Sequence, residues 1–368
     1  MVIVGGGVLG TMHAWHARQR NIDVVQLERE AGPRGASVRN FGLVWVSGRA
    51  VGPELDLALR ARQLWAEIGD RVPGTGFRAH GSLTVVRTEA ERAVVQAAVE
   101  RDDAGRRGFR LLGADEVRAH NPAVAGDIVG ALLCTEDAIV EPRLTLAAIR
   151  DALAGTGYEF LPGRQAVQLA DGGVRDHTGT WHRADEVVLC TGAAHIGIGA
   201  EDLSRAPLRR CRLQMMETAP WDGPALTTAL ADGDSLRYYP AFGVPALADL
   251  PPQSELATRY RIQLLMVQRL DGGLTIGDTH AYDEPFPFDL DEAAYDDLRA
   301  RAGAVLGRPL PPTVRRWAGV YSQTTDDSIY HRQRVRPGVT VVTGPGGRGM
   351  TLSPAIAEAS FTTGDDDD

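Results

Sequence analysis

Short apolar runs separated by a glycine-rich turn open the chain. Residues Val2–Val4 are all apolar and lead into Gly5, as expected for a buried strand of a parallel sheet. The following residues have helical spacing to about Arg20, and a second apolar run, Val24–Leu27, ends on Glu28. The order strand, glycine turn, helix, strand predicts a βαβ unit.

The rest of the chain alternates between helical and strand-like patterns. Amphipathic spacing predicts helices at Pro53–Gly69, Glu89–Glu100, Gly113–His120, Pro142–Leu153 and Asp291–Leu306, and a further one from Pro354. Apolar or alternating runs predict strands at Ser82–Val86, Glu186–Cys190, Arg212–Glu217, Ser235–Tyr239, Gln263–Gln268, Leu274–Ile276 and Val339–Thr343. The β-like segments concentrate after Pro207, where Gly and Pro turns separate them.

The strands typical of a parallel sheet occur at both ends of the chain and in its middle, with other segments between them. This distribution predicts an α/β fold, in which a discontinuous Rossmann-like domain carries an inserted α+β domain with a mixed β-sheet. The cofactor-binding domain is expected over residues 1–76, 140–207 and 315–368. The substrate-binding domain is expected over residues 77–139 and 208–314.

Composition narrows the classes of function. The chain has 368 residues, enough for two domains, and its formal net charge of −9 disfavours nucleic acid as a partner. No apolar run approaches the roughly 20 residues of a membrane span, and the strand at Val2 leaves no room for a signal peptide. Cys134, Cys190 and Cys211 lack CxxC spacing and are interpreted as reduced thiols of a cytoplasmic protein. The acidic tail, Gly364–Asp368, is interpreted as solvated or partly engineered.

Gly5, Gly7 and Gly10 form a G-x-G-x-x-G motif between the first strand and the first helix. In such a motif the first glycine makes the tight turn, the second lets the backbone approach a pyrophosphate, and the third permits close packing of the helix on the strand. The phosphates then meet the positive end of the helix. Glu28, which ends the second strand, is placed to accept hydrogen bonds from ribose hydroxyls. The motif therefore predicts dinucleotide binding.

Three further segments resemble the glycine oxidase and sarcosine oxidase family of flavoenzymes, in the order in which that family has them. They are GASVRNFG at 35–42, VLCTGA at 188–193 and TGPGGRGMTLSP at 343–354. The resemblance implies that the dinucleotide is FAD, with the last segment under the flavin ring. The cofactor-binding residues that it implies are Gly5, Gly7, Val8, Leu9, Gly10, Glu28, Arg29, Ala36, Ser37, Arg39, Asn40, Phe41, Val167, Thr191, Gly192, Gly346, Gly347, Arg348, Gly349, Met350 and Thr351.

The chain departs from this family at three positions. Sarcosine oxidases attach their flavin through a cysteine, whose counterpart here is Gly319, so we expect FAD to be bound non-covalently. Thr351 stands where these relatives have a lysine that binds the substrate carboxylate, and Thr275 stands where they have a lysine linked to oxygen activation. Another group must therefore bind a substrate anion, and fast reaction with oxygen is not implied.

Arginine, tyrosine and histidine side chains near the resembling segments are the candidates for substrate chemistry. Arg348, Tyr239 and His280 are the predicted catalytic residues. Arg237, Tyr238, Tyr321 and Thr351 are the predicted substrate-binding residues. Arginine offers a bidentate fork for a carboxylate or phosphonate, and a phenol can orient an amine. The structural alternatives are a surface ion pair for Arg237, core packing for the Tyr238–Tyr239 pair, and a buried structural histidine for His280.

The predicted reaction is oxidation of a C–N bond in a small amine or amino-acid-like substrate. Hydride passes to flavin N5, and the imine hydrolyses; oxygen or another acceptor then reoxidises the flavin. Resemblance around 237–242 and 274–280 points to a branch of the family proposed to act on aminophosphonates. The alternatives are a hydroxy acid or alcohol substrate, and a non-catalytic FAD-binding subunit. His13 and His16 share the first helix but no third ligand is suggested, so no metal site is predicted. The oligomeric state stays open.

Overall fold

The computed structural model describes residues 1–170 and 172–362. The first glycine-rich turn follows a central strand of a six-stranded sheet. In sheet order its strands are β18 (His331–Arg336), β19 (Val339–Thr343), β12 (Val187–Leu189), β1 (Val2–Val4), β2 (Val24–Glu28) and β8 (Tyr158–Pro162). All neighbours pair in parallel except β18 and β19. Because β1 lies between β12 and β2, the sheet confirms the predicted Rossmann-like α/β fold.

Four helices pack together on one face of this sheet. They are α1 (Val8–Gln19), α2 (Pro53–Arg71), α6 (Pro142–Leu153) and α11 (Gly349–Ala359). Met12 of α1, Trp65 of α2, Leu146 of α6 and Ile356 of α11 are buried in one hydrophobic cluster. Helices from both ends of the sequence thus share one core, which holds the first and last glycine-rich turns at the same edge of the sheet.

A larger sheet of eight strands forms the second layer of the molecule. In sheet order its strands are β17 (Thr313–Thr324), β13 (Leu208–Thr218), β16 (Leu274–Gly277), β15 (Leu265–Gln268), β14 (Ala229–Ala231), β4 (Ser82–Val86), β6 (Gly130–Cys134) and β5 (Phe109–Gly113). The β14–β4 pair is parallel and the other pairs are antiparallel, so the predicted mixed sheet is confirmed. Helix α10 (Glu292–Leu306) covers one face, where Tyr295 and Leu298 are buried.

Two short sheets and six further helices complete the described part of the fold. Two short sheets are β9 (Ala166–Ala170) with β10 (Gly173–Asp176) and β11 (Trp181–Arg183), and β3 (Leu43–Val44) with β7 (Ala138–Ile139). The remaining helices are α3 (Glu89–Val99), α4 (Ala104–Arg107), α5 (Ala114–His120), α7 (Ala200–Arg205), α8 (Ser235–Tyr238) and α9 (Glu255–Tyr260). The boundary expected at residue 315 falls inside β17, which pairs with β13 along its length in the large sheet. The assignment of the segments to cofactor and substrate binding stays a prediction.

Two predicted elements are wrong, and prolines explain both. The strand expected at Ser235–Tyr239 is helical from Ser235, because Pro240 begins a short 3₁₀ turn and the Tyr239 N–H donates to Ser235 O at 3.2 Å. The last helix begins at Gly349, so Pro354 lies inside it. A proline there leaves the carbonyl of residue 350 without its usual donor, and the indole Nε1 of Trp65 donates to that oxygen at 2.9 Å.

The remaining sequence-level expectations concern cysteines, membrane spans and the tail. Cys134, Cys190 and Cys211 are buried free thiols, as predicted. Over residues 1–170 and 172–362, no helix combines the length and apolar character needed to cross a membrane. The acidic tail Gly364–Asp368 lies outside the described residues.

Candidate active site

A cavity of about 1170 Å³ separates the glycine-rich edge of the six-stranded sheet from the face of the eight-stranded sheet. Its walls include Gly5 and Glu28 on one side and Met215 of β13 and Tyr321 of β17 on the other. Pockets for single small ligands have volumes of roughly 300–1,000 Å³, so this cavity has room for a dinucleotide and a small substrate together.

The first glycine turn fits close approach of a pyrophosphate. Gly5 has φ +113°, and a Cβ atom there would overlap the carbonyl of Cys190. A Cβ on Gly10 would overlap the carbonyl of Gly5, so the start of α1 packs directly on the turn. The Val8 N–H donates to Ser37 Oγ at 2.9 Å, which ties the segment at 35–42 to the positive end of α1.

Glu28 is held in position at the end of β2 with acceptor capacity left over. Its Oε2 accepts a hydrogen bond from the Gly6 N–H at 2.7 Å, and its Oε1 accepts one from the Glu30 N–H at 2.9 Å. A carboxylate has about four acceptor positions, so two remain for donors such as ribose hydroxyls. Because Glu28 also lines the cavity, the geometry fits the role predicted from the sequence.

Most of the predicted cofactor residues line this one cavity. They are Gly5, Gly7, Val8, Leu9, Glu28, Arg29, Ala36, Ser37, Arg39, Asn40, Phe41, Thr191, Gly192, Gly346, Gly347, Arg348, Gly349, Met350 and Thr351. Gly10 lies behind the turn in the helix packing. Val167 does not line the cavity: it is 49% exposed on β9, because strand alternation turns it away from Ala166, which does line it. A contact between the cofactor and the Val167 backbone stays a prediction.

Buried polar atoms without protein partners mark the part of the cavity nearest the last glycine turn. Trp45 Nε1 and Thr191 Oγ1 are buried and have no hydrogen-bond partner among the described residues. Both side chains line the cavity, beside the turn Gly346–Arg348 and the start of α11. Buried polar groups are nearly always paired, so a ligand with hydrogen-bonding atoms, such as a flavin ring, fits this region.

Two arginines approach one glutamate at the cavity wall. Arg49 Nη1 and Arg348 Nη1 each lie 3.4 Å from Glu54 Oε1. Burial lowers the pKa of Arg348, and the Glu54 carboxylate opposes that shift. Two guanidinium groups and one carboxylate leave a net positive charge beside the cavity, and arginine presents a planar fork to carboxylates and phosphonates. The cluster can therefore bind a substrate anion.

Sequence reasoning identified Arg348 but missed Arg49. Arg49 follows β3 in a connection to α2 without a recognisable motif, and its Nε donates to Trp45 O at 2.8 Å. Its guanidinium carbon lies 5.7 Å from the centre of the Tyr239 ring. Only the packing of α2 against α11 brings it to Arg348, so no local signal in the sequence could have shown the pairing.

Tyr238, Tyr239 and His280 form an aromatic group on the same cavity wall. Tyr238 stacks on His280 with 4.4 Å between ring centroids, and it meets Tyr239 edge-on at 5.0 Å. Burial lowers the pKa of His280 to about 4, and its Nδ1 lies 3.2 Å from Arg261 O. His280 is consequently neutral near pH 7. Burial raises the pKa of both tyrosines, so they present neutral hydroxyl groups.

The other predicted substrate-binding residues have different positions. Tyr321 lines the cavity from β17. Arg237 does not line it: its guanidinium donates to Pro251 O and lies 3.4 Å from Asp234 Oδ1, which corrects its predicted position. Thr351 lines the cavity, but its Oγ1 donates to Leu43 O at 3.2 Å and accepts from the Trp45 N–H at 2.9 Å. Thr351 therefore joins α11 to β3 and has little capacity left for a substrate.

Comparisons with known proteins agree with this geometry. Over 177 residues the chain is 27% identical to one subunit of the opine oxidase from Rhizobium meliloti, covering 44% of this chain and 46% of that protein. The chain spans about half the length of the curated relatives it matches.

Among solved structures, glycine oxidase from Bacillus cereus has a TM-score of 0.78 at 18% identity, covering 98% of this chain and 95% of its own. Iminodiacetate oxidase from Chelativorans sp. BNC1 has a TM-score of 0.75 at 18% identity, covering 97% and 93%. At these identities the likeness establishes the fold. The family model of the DAO type, described as FAD dependent oxidoreductase, matches residues 1–360. The chain therefore belongs to the DAO family of FAD-dependent oxidoreductases.

Proposed function

We propose that this FAD-dependent oxidoreductase oxidises the C–N bond of a small amine that also carries an anionic group. The observation that supports this proposal is one continuous cavity that joins a dinucleotide turn at Gly5 to the buried Arg49 and the half-buried Arg348. A carboxylate or a phosphonate would bind the two guanidinium groups. The amine would then occupy the space beside Tyr238 and Tyr239.

Residues from three parts of the chain would hold the cofactor. The turn at Gly5–Gly7 and the start of α1 would bind the pyrophosphate, and Glu28 the ribose hydroxyls. The segment Gly346–Gly349 and the start of α11 would lie under the flavin ring. When bound, FAD supplies the acceptor, at N5, for the hydride that leaves the substrate α-carbon, and the resulting imine hydrolyses to a carbonyl compound and an amine.

The side chains of this chain position the substrate and keep water from it. Arg49 and Arg348 would fix the anionic end, which restricts the orientation of the reacting carbon. The rings of Tyr238 and Tyr239 and the neutral His280 form a wall of low polarity. Hydride loss requires the neutral amine, because only that form has the nitrogen lone pair that drives the step.

The names of similar proteins support an amino-acid-like amine. Glycine oxidase, iminodiacetate oxidase and the opine oxidase are each named for a nitrogen-containing acid or an opine. We propose an amino acid, an N-substituted amino acid or an aminophosphonate as the substrate class. The pair Arg49 and Arg348 could bind the dianion of an aminophosphonate as well as a carboxylate.

The test is anaerobic reduction of the bound flavin, followed by its absorbance, with matched pairs of compounds. Two pairs differ in the anionic group: glycine with aminomethylphosphonate, and 3-aminopropionate with 2-aminoethylphosphonate. A third comparison sets the amines sarcosine and iminodiacetate against glycolate, a hydroxy acid. Bleaching by amines but not by glycolate would support C–N oxidation. Within each carboxylate and phosphonate pair, the compound that reduces the flavin faster would identify the substrate class. Bleaching by glycolate alone would replace the proposal by oxidation of a hydroxy acid. Oxygen and an artificial acceptor such as a dye would then be compared as the final electron acceptor.

A further inference from the structure

A buried carboxylate on the cavity wall has no cation beside it among residues 1–170 and 172–362. Asp278 follows β16 and is 6% exposed, and its Oδ1 is buried without a hydrogen-bond partner among the described residues. The backbone fixes its position, because the Asp278 N–H donates to Gln263 O at 2.9 Å. Asp278 lines the same cavity as Arg49, Arg348 and Tyr239.

The groups around Asp278 leave its charge uncompensated. His280 Nε2 lies 3.6 Å from Asp278 Oδ2, but burial lowers the pKa of that histidine to about 4, so it carries no charge near pH 7. Gln263, from the segment before β15, adds a second buried oxygen, Oε1, with no partner in the described part of the chain.

The Asp278 charge acts on three further groups, and none of them is a cation. Burial and this carboxylate raise the pKa values of Tyr238, Tyr239 and Cys211. The Arg261 backbone oxygen lies 3.2 Å from His280 Nδ1, and the charge of this arginine helps to keep the histidine neutral. The wall around Asp278 is therefore made of neutral side chains.

An unpaired buried carboxylate is costly, so without a cation Asp278 is mainly protonated near pH 7, and an ammonium group from the cavity would stabilise its ionised form. We propose that Asp278 and Gln263 form the subsite for the ammonium group of the substrate, and that the Asp278 carboxylate removes one proton from that group before oxidation. The step converts R–NH₃⁺ and the carboxylate into R–NH₂ and the carboxylic acid, with no change in total charge. The inference rests on the proposed function, since it assigns the group that receives the amine.

Tyr239 lies between the two charged subsites. Its hydroxyl is 3.4 Å from Gln263 Nε2, and the Arg49 guanidinium carbon is 5.7 Å from the centre of its ring. The charges of both Asp278 and Arg49 act on this tyrosine. A substrate that carries an anionic and an ammonium group and lies along Tyr239 would meet both subsites.

Proton affinity agrees with this role. Burial raises the pKa of Asp278 to about 8, with the neighbouring Gln263 side chain acting against that shift. This proton affinity is far above that of an ordinary aspartate, so Asp278 is a much stronger base than an exposed carboxylate. General bases work best when their pKa lies near the working pH.

The test uses two inert ligands of nearly equal shape, 2-aminoisobutyrate and pivalate, with the FAD-loaded protein. Neither has a hydrogen on its α-carbon, so neither can reduce the flavin, and they differ in that an ammonium group replaces a methyl group. Binding would be measured from the change in flavin absorbance. At about pH 8.5, where Asp278 is ionised, we expect wild type to bind 2-aminoisobutyrate at least about tenfold more tightly than pivalate. Asp278→Asn should remove this preference while leaving pivalate affinity within about twofold.

A second measurement on the wild-type protein does not depend on how the variant folds. Between about pH 6 and pH 8, the preference for 2-aminoisobutyrate should rise towards tenfold per pH unit, because binding of the ammonium group displaces a proton from Asp278. A preference that is independent of pH, or that Asp278→Asn retains, overturns the ammonium subsite while the proposed function stands. If neither 2-aminoisobutyrate nor pivalate binds, and no amine bleaches the flavin, the proposed function itself is overturned.

Discussion

Arg49 and Arg348 each place an Nη1 atom 3.4 Å from the same oxygen, Oε1 of Glu54. One carboxylate cannot neutralise two guanidinium groups, so the pair keeps a positive charge that a substrate anion can use. The two arginines come from opposite ends of the chain, and α2 brings Glu54 between them. Five predictions test this site and the fold that supports it.

Removing either arginine should weaken substrate binding. Arg348→Met or Arg49→Met deletes a charge-assisted hydrogen bond, so KM for the reducing amine should rise about 10- to 100-fold. Steady-state kinetics at constant flavin content would measure the change. Arg237→Met is the matched control, because Arg237 bonds to Pro251 and does not line the cavity, and its KM should equal that of wild type. A large effect of Arg237→Met with none of Arg348→Met would contradict the assignment.

Gly10→Ala should prevent FAD binding. A Cβ at this position would overlap the carbonyl of Gly5, so α1 must move away from the turn that binds the pyrophosphate. The protein should be purified with little flavin, and added FAD should bind at least about tenfold more weakly. Gly32→Ala is the control, since a Cβ there meets no atom within 4 Å and should leave flavin content unchanged. Equal flavin content in the two variants would show that this packing is dispensable.

Thr351 should act in stability rather than in substrate recognition. Thr351→Val removes both hydrogen bonds of Oγ1 and leaves the Trp45 N–H buried without an acceptor. The free energy of unfolding should fall by about 1–3 kcal/mol, measured by urea denaturation. Thr351→Ser keeps the hydroxyl and should retain most of this stability. If Thr351→Val raised KM without lowering the free energy of unfolding, the substrate-binding role predicted from the sequence would be favoured instead.

His13 should make folding stability sensitive to acid. Burial lowers the pKa of His13 in the folded protein to about 4, whereas the unfolded chain has a value near 6.5. As the pH falls from about 6.5 to about 4, the unfolded chain therefore gains a proton that the folded state excludes, at about 1.4 kcal/mol per pH unit.

The stability difference between wild type and His13→Gln isolates this contribution. Urea denaturation from pH 7 downwards should show wild type losing stability relative to the variant only below about pH 6.5. A flat difference over this range would contradict the prediction, since it would mean that the folded and unfolded states protonate His13 equally.

All of the flavin should be released when the protein is denatured. Gly319 replaces the cysteine that binds flavin in sarcosine oxidases, and a Cβ there would lie 3.3 Å from the Arg39 backbone oxygen. Cys190 also lines the cavity, but burial raises the pKa of its thiol and so disfavours the reactive thiolate. Acid precipitation should leave the whole flavin absorbance in the supernatant, and flavin retained in the pellet would contradict non-covalent binding.

Local patterns in the sequence predicted most of what depends on neighbouring residues. The βαβ unit at Val2–Glu28 and helix Pro142–Leu153 are as predicted, because periodicity, glycine turns and proline positions act over a few residues. Strand β17 was missed, since its exposed charged residues hide the strand pattern until β13 pairs with it. The segment at Ser235 shows the opposite error, in which a strand-like composition adopts a helical turn.

The sequence by itself determined the dinucleotide turn, because glycine at position 10 is required by a contact with the Gly5 carbonyl inside the βαβ unit. The motifs that follow it in order determined the family and the kind of cofactor. The tertiary structure decided which side chains surround the substrate. It brought Arg49 to Arg348, directed Arg237 away, and buried Asp278 Oδ1 with no hydrogen-bond partner in the described part of the chain. These relationships join residues far apart in the chain, and they depend on how two sheets and their helices pack, which no short pattern encodes.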